Sequence, residues 1–121
     1  MVLMPTRIVS IAGSSFYPGA GERIMRMRSG TPLKLVREPR NKHDKNAIAV
    51  YTTIFSIQLG HVPRSLAEEL APLMDLGVID PIATKAPVVG AVMVLTWEGD
   101  PYEQPESIRT ALKARFSGLD I

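Results

Sequence analysis

Leu33-Lys34-Leu35-Val36-Arg37 and Ala47-Ile48-Ala49-Val50-Tyr51 stand on either side of the polar loop Arg40-Asn41-Lys42-His43-Asp44-Lys45-Asn46. The first segment alternates as a strand does, and the second is a short apolar, β-rich run. Together they predict a β-hairpin whose tip is basic.

Beyond the hairpin, Ile57, Leu59 and Val62 predict a further strand. Pro63 then opens a helix on which Leu66, Ala67, Leu70, Leu73 and Met74 share one face, with Gly77 as its stop. Pro72 donates no backbone hydrogen bond, so a kink or a fresh turn is expected there. Toward the N-terminus, Thr6 to Ala12 predicts a first strand and Ser14 to Gly21 an exposed turn. Glu22 to Ser29 is compatible with both periods, and Ser29-Gly30 as a helix end favours a short helix. Ile79 to Lys85 gives a possible strand, and Val88 to Trp97 a long β-rich one. About five strands with one well-marked helix between them fit a mainly β protein with helices, a partly open barrel more than a sandwich. Residues 1–99 are expected to form this domain. Residues 100–121 then give a linker rich in Pro and a C-terminal helix from Glu106 to Phe116, packed on the barrel or on a partner.

The 121 residues suit one domain with a core of its own, and cysteine is absent, which removes disulfides and thiolate chemistry. No apolar run approaches the roughly 20 residues that span a bilayer, so a cytosolic or nuclear setting without membrane contact is expected. The net charge is only +2, but it is unevenly spread. Between Glu22 and Lys45, eight Lys and Arg face three carboxylates, and the remainder is acidic. Such a segment suits a polyanion, or simply makes a solvated face.

Three places offer chemistry. Phe16 and Tyr17 in the first turn are suited to stacking on unpaired bases, or to sealing the barrel end. Arg40, Lys42 and Lys45 are placed to neutralise phosphates, while Asn41 and Asn46 also suit turns that bond their own backbone. Asp44, a carboxylate among cations, either balances Lys45 or accepts a hydroxyl of the ligand. His61 and Arg64 mark the junction of strand and helix. His43, Asp44, Glu38 and His61 lack the spacing of a metal set, and no serine stands in a nucleophile elbow, so no cofactor is expected. Gly19-Ala20-Gly21 reads as a turn, lacking the rest of a dinucleotide fingerprint.

Four stretches in order resemble the HIRAN family. They are Gly13-Ser14-Ser15-Phe16-Tyr17, then Gly30 to Pro39, then Asn41 to Val50, then Leu59-Gly60-His61-Val62-Pro63-Arg64-Ser65-Leu66-Ala67. The resemblance covers about residues 8–98 and implies a modified OB-like β-barrel that grips the three-prime end of single-stranded DNA. Such modules occur in helicase-like chromatin translocases and as small bacterial and phage proteins, which implies a non-catalytic part in DNA repair or replication, with a helicase or nuclease as partner. By this resemblance Phe16 and Tyr17 are base-stacking aromatics, Asn41, His43 and Asp44 close over the terminal nucleotide, and His61 and Arg64 approach phosphate. Ser15 stands where the family has a basic residue, and His43 where an aromatic ring such as Tyr is usual. A protein-interaction adaptor and a metal-dependent nuclease are the rival classes.

Overall fold

The computed structural model describes residues 6–97. The helix expected over Glu106 to Phe116 lies outside the described residues. Six antiparallel strands form one sheet: β1 (Thr6–Ser10), β2 (Pro32–Arg37), β3 (Ile48–Thr52), β4 (Gln58–His61), β5 (Ile82–Lys85) and β6 (Val92–Thr96). Their order across the sheet is β1-β6-β5-β2-β3-β4. The predicted hairpin is present, with Leu35 opposite Val50 and Arg37 opposite Ile48.

The sheet curls until its ends meet. Beyond β1 the chain leaves β6, and Ala12 forms an antiparallel bridge with His61 of β4, exchanging N–H···O bonds of 2.7 and 2.9 Å. That bridge makes the sheet the partly open barrel expected from sequence. It depends on Gly60, where a Cβ would fall within van der Waals distance of the Ala12 carbonyl oxygen and 2.8 Å from Ile11 Cγ2. The first strand is therefore shorter than the expected Thr6 to Ala12, because its last two residues serve the closure.

Two helices cover the barrel. The first, α1 (Ala20–Arg26), begins two residues before the expected Glu22 and ends three before Ser29. Ala20 and Ile24, four apart, put one buried stripe against the core. The segment read as a plain turn, Ser14 to Gly21, thus contains a 3₁₀ turn (Ser14–Phe16) and the start of α1. The second helix, α2 (Arg64–Asp75), buries Leu66, Ala67, Leu70, Ala71 and Leu73. It continues through Pro72 to Asp75 without a separate turn. The carbonyl that Pro72 cannot satisfy belongs to Glu68, which lies on the exposed side where water can bond it.

Ile48, Val50, Leu59, Met93 and Leu95 form the centre of the core with that helix face, all fully buried. The long strand expected over Val88 to Trp97 is confined to Val92–Thr96. Residues 86–91 form a loop in which Val88 and Val89 are exposed. Pro87 lacks a ladder donor and Gly90 takes a positive φ, so the segment bends instead of pairing. The buried Lys85 holds the loop, its Nζ donating to the carbonyls of Ala86 and Val88 at 2.7 and 2.9 Å.

Candidate nucleic-acid interface

The 3₁₀ turn after Gly13 separates two neighbouring aromatics. Phe16 projects outward, 83% exposed, whereas Tyr17 is partly buried against the core, with its hydroxyl among polar groups. Phe16 is the more exposed ring of the two, while Tyr17 helps to close the barrel end.

The hydroxyl of Tyr17 enters a row of hydrogen bonds with one consistent direction. Tyr51 donates to Gln58 Oε1 (3.3 Å), and Gln58 Nε2 donates to the Tyr17 hydroxyl (3.1 Å). Tyr17 donates in turn to His61 Nδ1 (3.3 Å), and His61 Nε2 donates to Glu38 Oε1 (2.6 Å). Asn41 Nδ2 reaches the same Glu38 oxygen at 3.2 Å. This direction assigns the proton of a neutral His61 to Nε2. Burial raises the pKa of Tyr17 above its ordinary 10.0, and the charge of Glu38 and the neighbouring Tyr51 add to the rise, while the bond from Gln58 opposes it. The phenol therefore stays protonated and able to donate at neutral pH.

Glu38 thus ties the β2–β3 loop to β4. Inside the loop, Asn41 Oδ1 accepts the backbone N–H groups of His43 (2.9 Å) and Asp44 (3.1 Å). Asp44 Oδ1 accepts that of Asn46 at 2.9 Å. These are side-chain-closed turns that fix the loop without a ladder. The exit of the loop is fixed by Arg37, which donates to the carbonyls of Lys45 and Ala47 and makes a bidentate pair with Asp75 of α2 at 2.8 and 3.0 Å. Arg37, counted among the basic segment by sequence, therefore acts inside the protein.

The structure brings together Tyr17, Asn41, Asp44, His61 and Arg64. Asp44 Oδ2 lies 3.8 Å from Arg64 Nε, so the nearby cation is Arg64 and not Lys45. Arg64 is also 3.9 Å from Glu68 and remains 72% exposed. Arg40, Lys42, His43 and Lys45 are exposed on the loop surface, and Asn46 is buried at its base. Among the described residues no group of three or more His, Cys, Asp or Glu could hold a metal ion. None of the helices in the described residues is long and apolar enough to cross a membrane.

Sequence reading weighed Glu38 only as a metal ligand and passed over Gln58 and Tyr51. Glu38 and Gln58 act through partners far away in the chain, and Tyr51 through Gln58 across the β3–β4 turn. The one available signal was their place at or beside strands bordering the loop, where cross-strand neighbours meet.

The model of the HIRAN domain family matches residues 6–98. A SWI/SNF-related, matrix-associated, actin-dependent regulator of chromatin (subfamily A member 3-like 1) from Arabidopsis thaliana is 41% identical over 68 residues. The match takes in 56% of this chain, which spans only 7% of the length of that relative. Among solved structures, the HIRAN domain of human HLTF is similar with a TM-score of 0.61 and 24% identity, over 95% of this chain and 87% of that one. The HLTF HIRAN domain in its DNA-bound conformation gives 0.60 and 23%, over 97% and 90%. Both share the curled, mainly antiparallel barrel.

Proposed function

The chain belongs to the HIRAN domain family, and from that premise we propose that it binds single-stranded DNA at a free three-prime end, as a recognition module that does no chemistry itself. The observation that carries this reading is the exposed ring of Phe16, next in the chain to Tyr17, whose hydroxyl is linked through His61 and Glu38 to a basic loop braced from both sides. A braced loop gives up little conformational entropy on binding, so its contacts are not offset by ordering. A similar domain having been solved in a DNA-bound conformation supports the choice of ligand.

In this account Phe16 stacks on a base near the strand end. About three of Arg40, Lys42, Lys45 and Arg64 supply phosphate contacts, and Asn41, His43 and Asp44 surround the terminal nucleotide. Tyr17 and His61 brace the site, because the Tyr17 hydroxyl and both ring nitrogens of His61 already have protein partners.

Phe16→Ala should weaken binding of a short single strand by about 1–3 kcal/mol while leaving the melting temperature unchanged, since an exposed ring contributes stacking and no core packing. Neutralising about three phosphates should give a slope of log K against log salt near −2. Fluorescence anisotropy across a salt series reads both. A flat salt response, or an unaltered affinity of Phe16→Ala, contradicts the site.

Ser15 is exposed next to Phe16, where the family resemblance places a cation. Ser15→Arg should therefore tighten binding and steepen the salt slope by about 0.7, the contribution of one more phosphate on a single strand. Tighter binding with no change of slope would mean that the arginine acts elsewhere than on a phosphate.

A further inference from the structure

The turn between β3 and β4 carries a costly backbone. Phe55 (φ 65) and Ser56 (φ 46) are consecutive left-handed residues, the only non-glycine ones with positive φ among the described residues. Two such positions in a tight hairpin ordinarily take Asn-Gly, because a bulky side chain is disfavoured there. Here one is a phenylalanine, 89% exposed, which gains almost nothing from burial. The tip is nevertheless firmly held. Thr52 Oγ1 bonds the Ile54 carbonyl and accepts the Ile57 N–H, and Lys34 Nζ donates to Ser56 Oγ at 2.7 Å. A strained, rigid turn that presents an aromatic ring to solvent points to a function for the ring.

Two further features say what the ring meets. Phe55 lines a groove of about 320 Å³ together with Ile54, Met27, Thr52, and the Arg23 and Arg26 side chains of α1. Neither arginine has an ion-pair partner among the described residues, so the groove suits an anion with flat apolar parts. A chain of contacts also joins the turn that carries Phe55 to the interface already described. The row Tyr17, Gln58, Tyr51 leads on to Lys34, whose Nζ lies 5.7 Å from the centroid of the Tyr51 ring, and Lys34 bonds Ser56. From His61 to Ser56 is five residues, of which Gln58–His61 are strand, so the turn lies at most about 18 Å from His61 and within reach of a short oligonucleotide.

We propose that Phe55, with Arg23 and Arg26, forms a second contact for the same single strand, stacking a base upstream of the end while the arginines hold its phosphates. This rests on the reading of the chain as a single-strand binder, and it fixes the minimum strand length for full affinity. The two Phe sites then act as separate stacking platforms on one ligand, coupled through a short span.

The test is anisotropy with a single-stranded dinucleotide and octanucleotide on the wild type, Phe55→Ala, Phe55→Asn, the Arg23→Ala/Arg26→Ala pair and Phe16→Ala. Asparagine tolerates the left-handed backbone, so Phe55→Asn removes the ring while keeping the turn. The expected result is about tenfold weaker octanucleotide binding for each Phe55 variant, with the dinucleotide unaffected. The arginine pair should behave likewise and flatten the salt slope for the octanucleotide alone. Octanucleotide affinity unchanged in both Phe55 variants overturns the proposal, as does an equal loss on both ligands. If the Phe55 variants lose octanucleotide binding and Phe16→Ala does not, the hairpin contact stands and the end-binding reading fails. The reverse pattern leaves the end site and removes the hairpin.

Discussion

Gly60→Ala should destabilise the domain by about 2–4 kcal/mol, adding the strain of a side chain at this backbone to the cost of overpacking. Gly60 has φ 154, and its Cα faces the backbone of the segment that closes the barrel. A methyl group there would press on the Ala12 carbonyl oxygen and on Ile11 Cγ2 at 2.8 Å. Ile11 is itself 3% exposed, so it has no vacant space to enter. Relief would require β4 to move away from Ala12, breaking the two hydrogen bonds between Ala12 and His61. Because His61 and Tyr17 are joined across this same junction, DNA binding should weaken along with stability. Urea unfolding followed by circular dichroism reads the first effect. An unchanged midpoint would show that the closure is not a tight backbone contact.

Asp44→Asn should abolish most of the discrimination between a free and a phosphorylated three-prime end. In the structure Asp44 uses one carboxylate oxygen to cap the Asn46 N–H and turns the other toward Arg64, with its side chain 18% exposed. The second oxygen is available to a hydroxyl, and Arg64 beside it to the adjoining phosphate. An ionised carboxylate accepts from a hydroxyl but repels a phosphate placed at the same point, so one group both attracts the right end and rejects the wrong one. A hydrogen bond to a charged group contributes about 1.5–3 kcal/mol, which corresponds to roughly tenfold or more in affinity. Asparagine keeps the loop-capping oxygen and removes the charge, so the loop should remain folded while the preference disappears. Competition between matched oligonucleotides measures the ratio. An equal preference in wild type and Asp44→Asn would make Asp44 a purely structural cap.

Much of the architecture is written locally, because alternation and amphipathic spacing act over a few residues. Lys34 between Leu33 and Leu35 marks β2, and Leu66, Ala67, Leu70 and Leu73 mark α2, whatever the rest of the chain does. Where composition and contacts disagree, local reading fails. Val88 and Val89 look like strand, yet Pro87 and Gly90 and the grip of Lys85 make them a loop. Gly19, Ala20 and Gly21 look like a turn, yet burial of Ala20 and Ile24 against the barrel starts a helix there. The same division holds at the site. The aromatic pair, the basic loop, His61 and Arg64 were legible as residue types suited to a polyanion, and the family resemblance put them together. That Phe16 is outside and Tyr17 packed follows from the 3₁₀ turn between Ser14 and Phe16, which no periodicity announces. Glu38 and Gln58 connect residues 23 and 41 positions away, and only the folded barrel makes them neighbours.

The central claim is recognition of a free three-prime end on single-stranded DNA. It is tested most directly by anisotropy titration of the wild-type protein with one oligonucleotide sequence in three forms: both ends free, phosphate on the five-prime end, and phosphate on the three-prime end. Affinity should be equal for the first two and about tenfold or more weaker for the third. Equal affinity for all three would contradict the claim, leaving the basic loop as a contact for internal phosphates only.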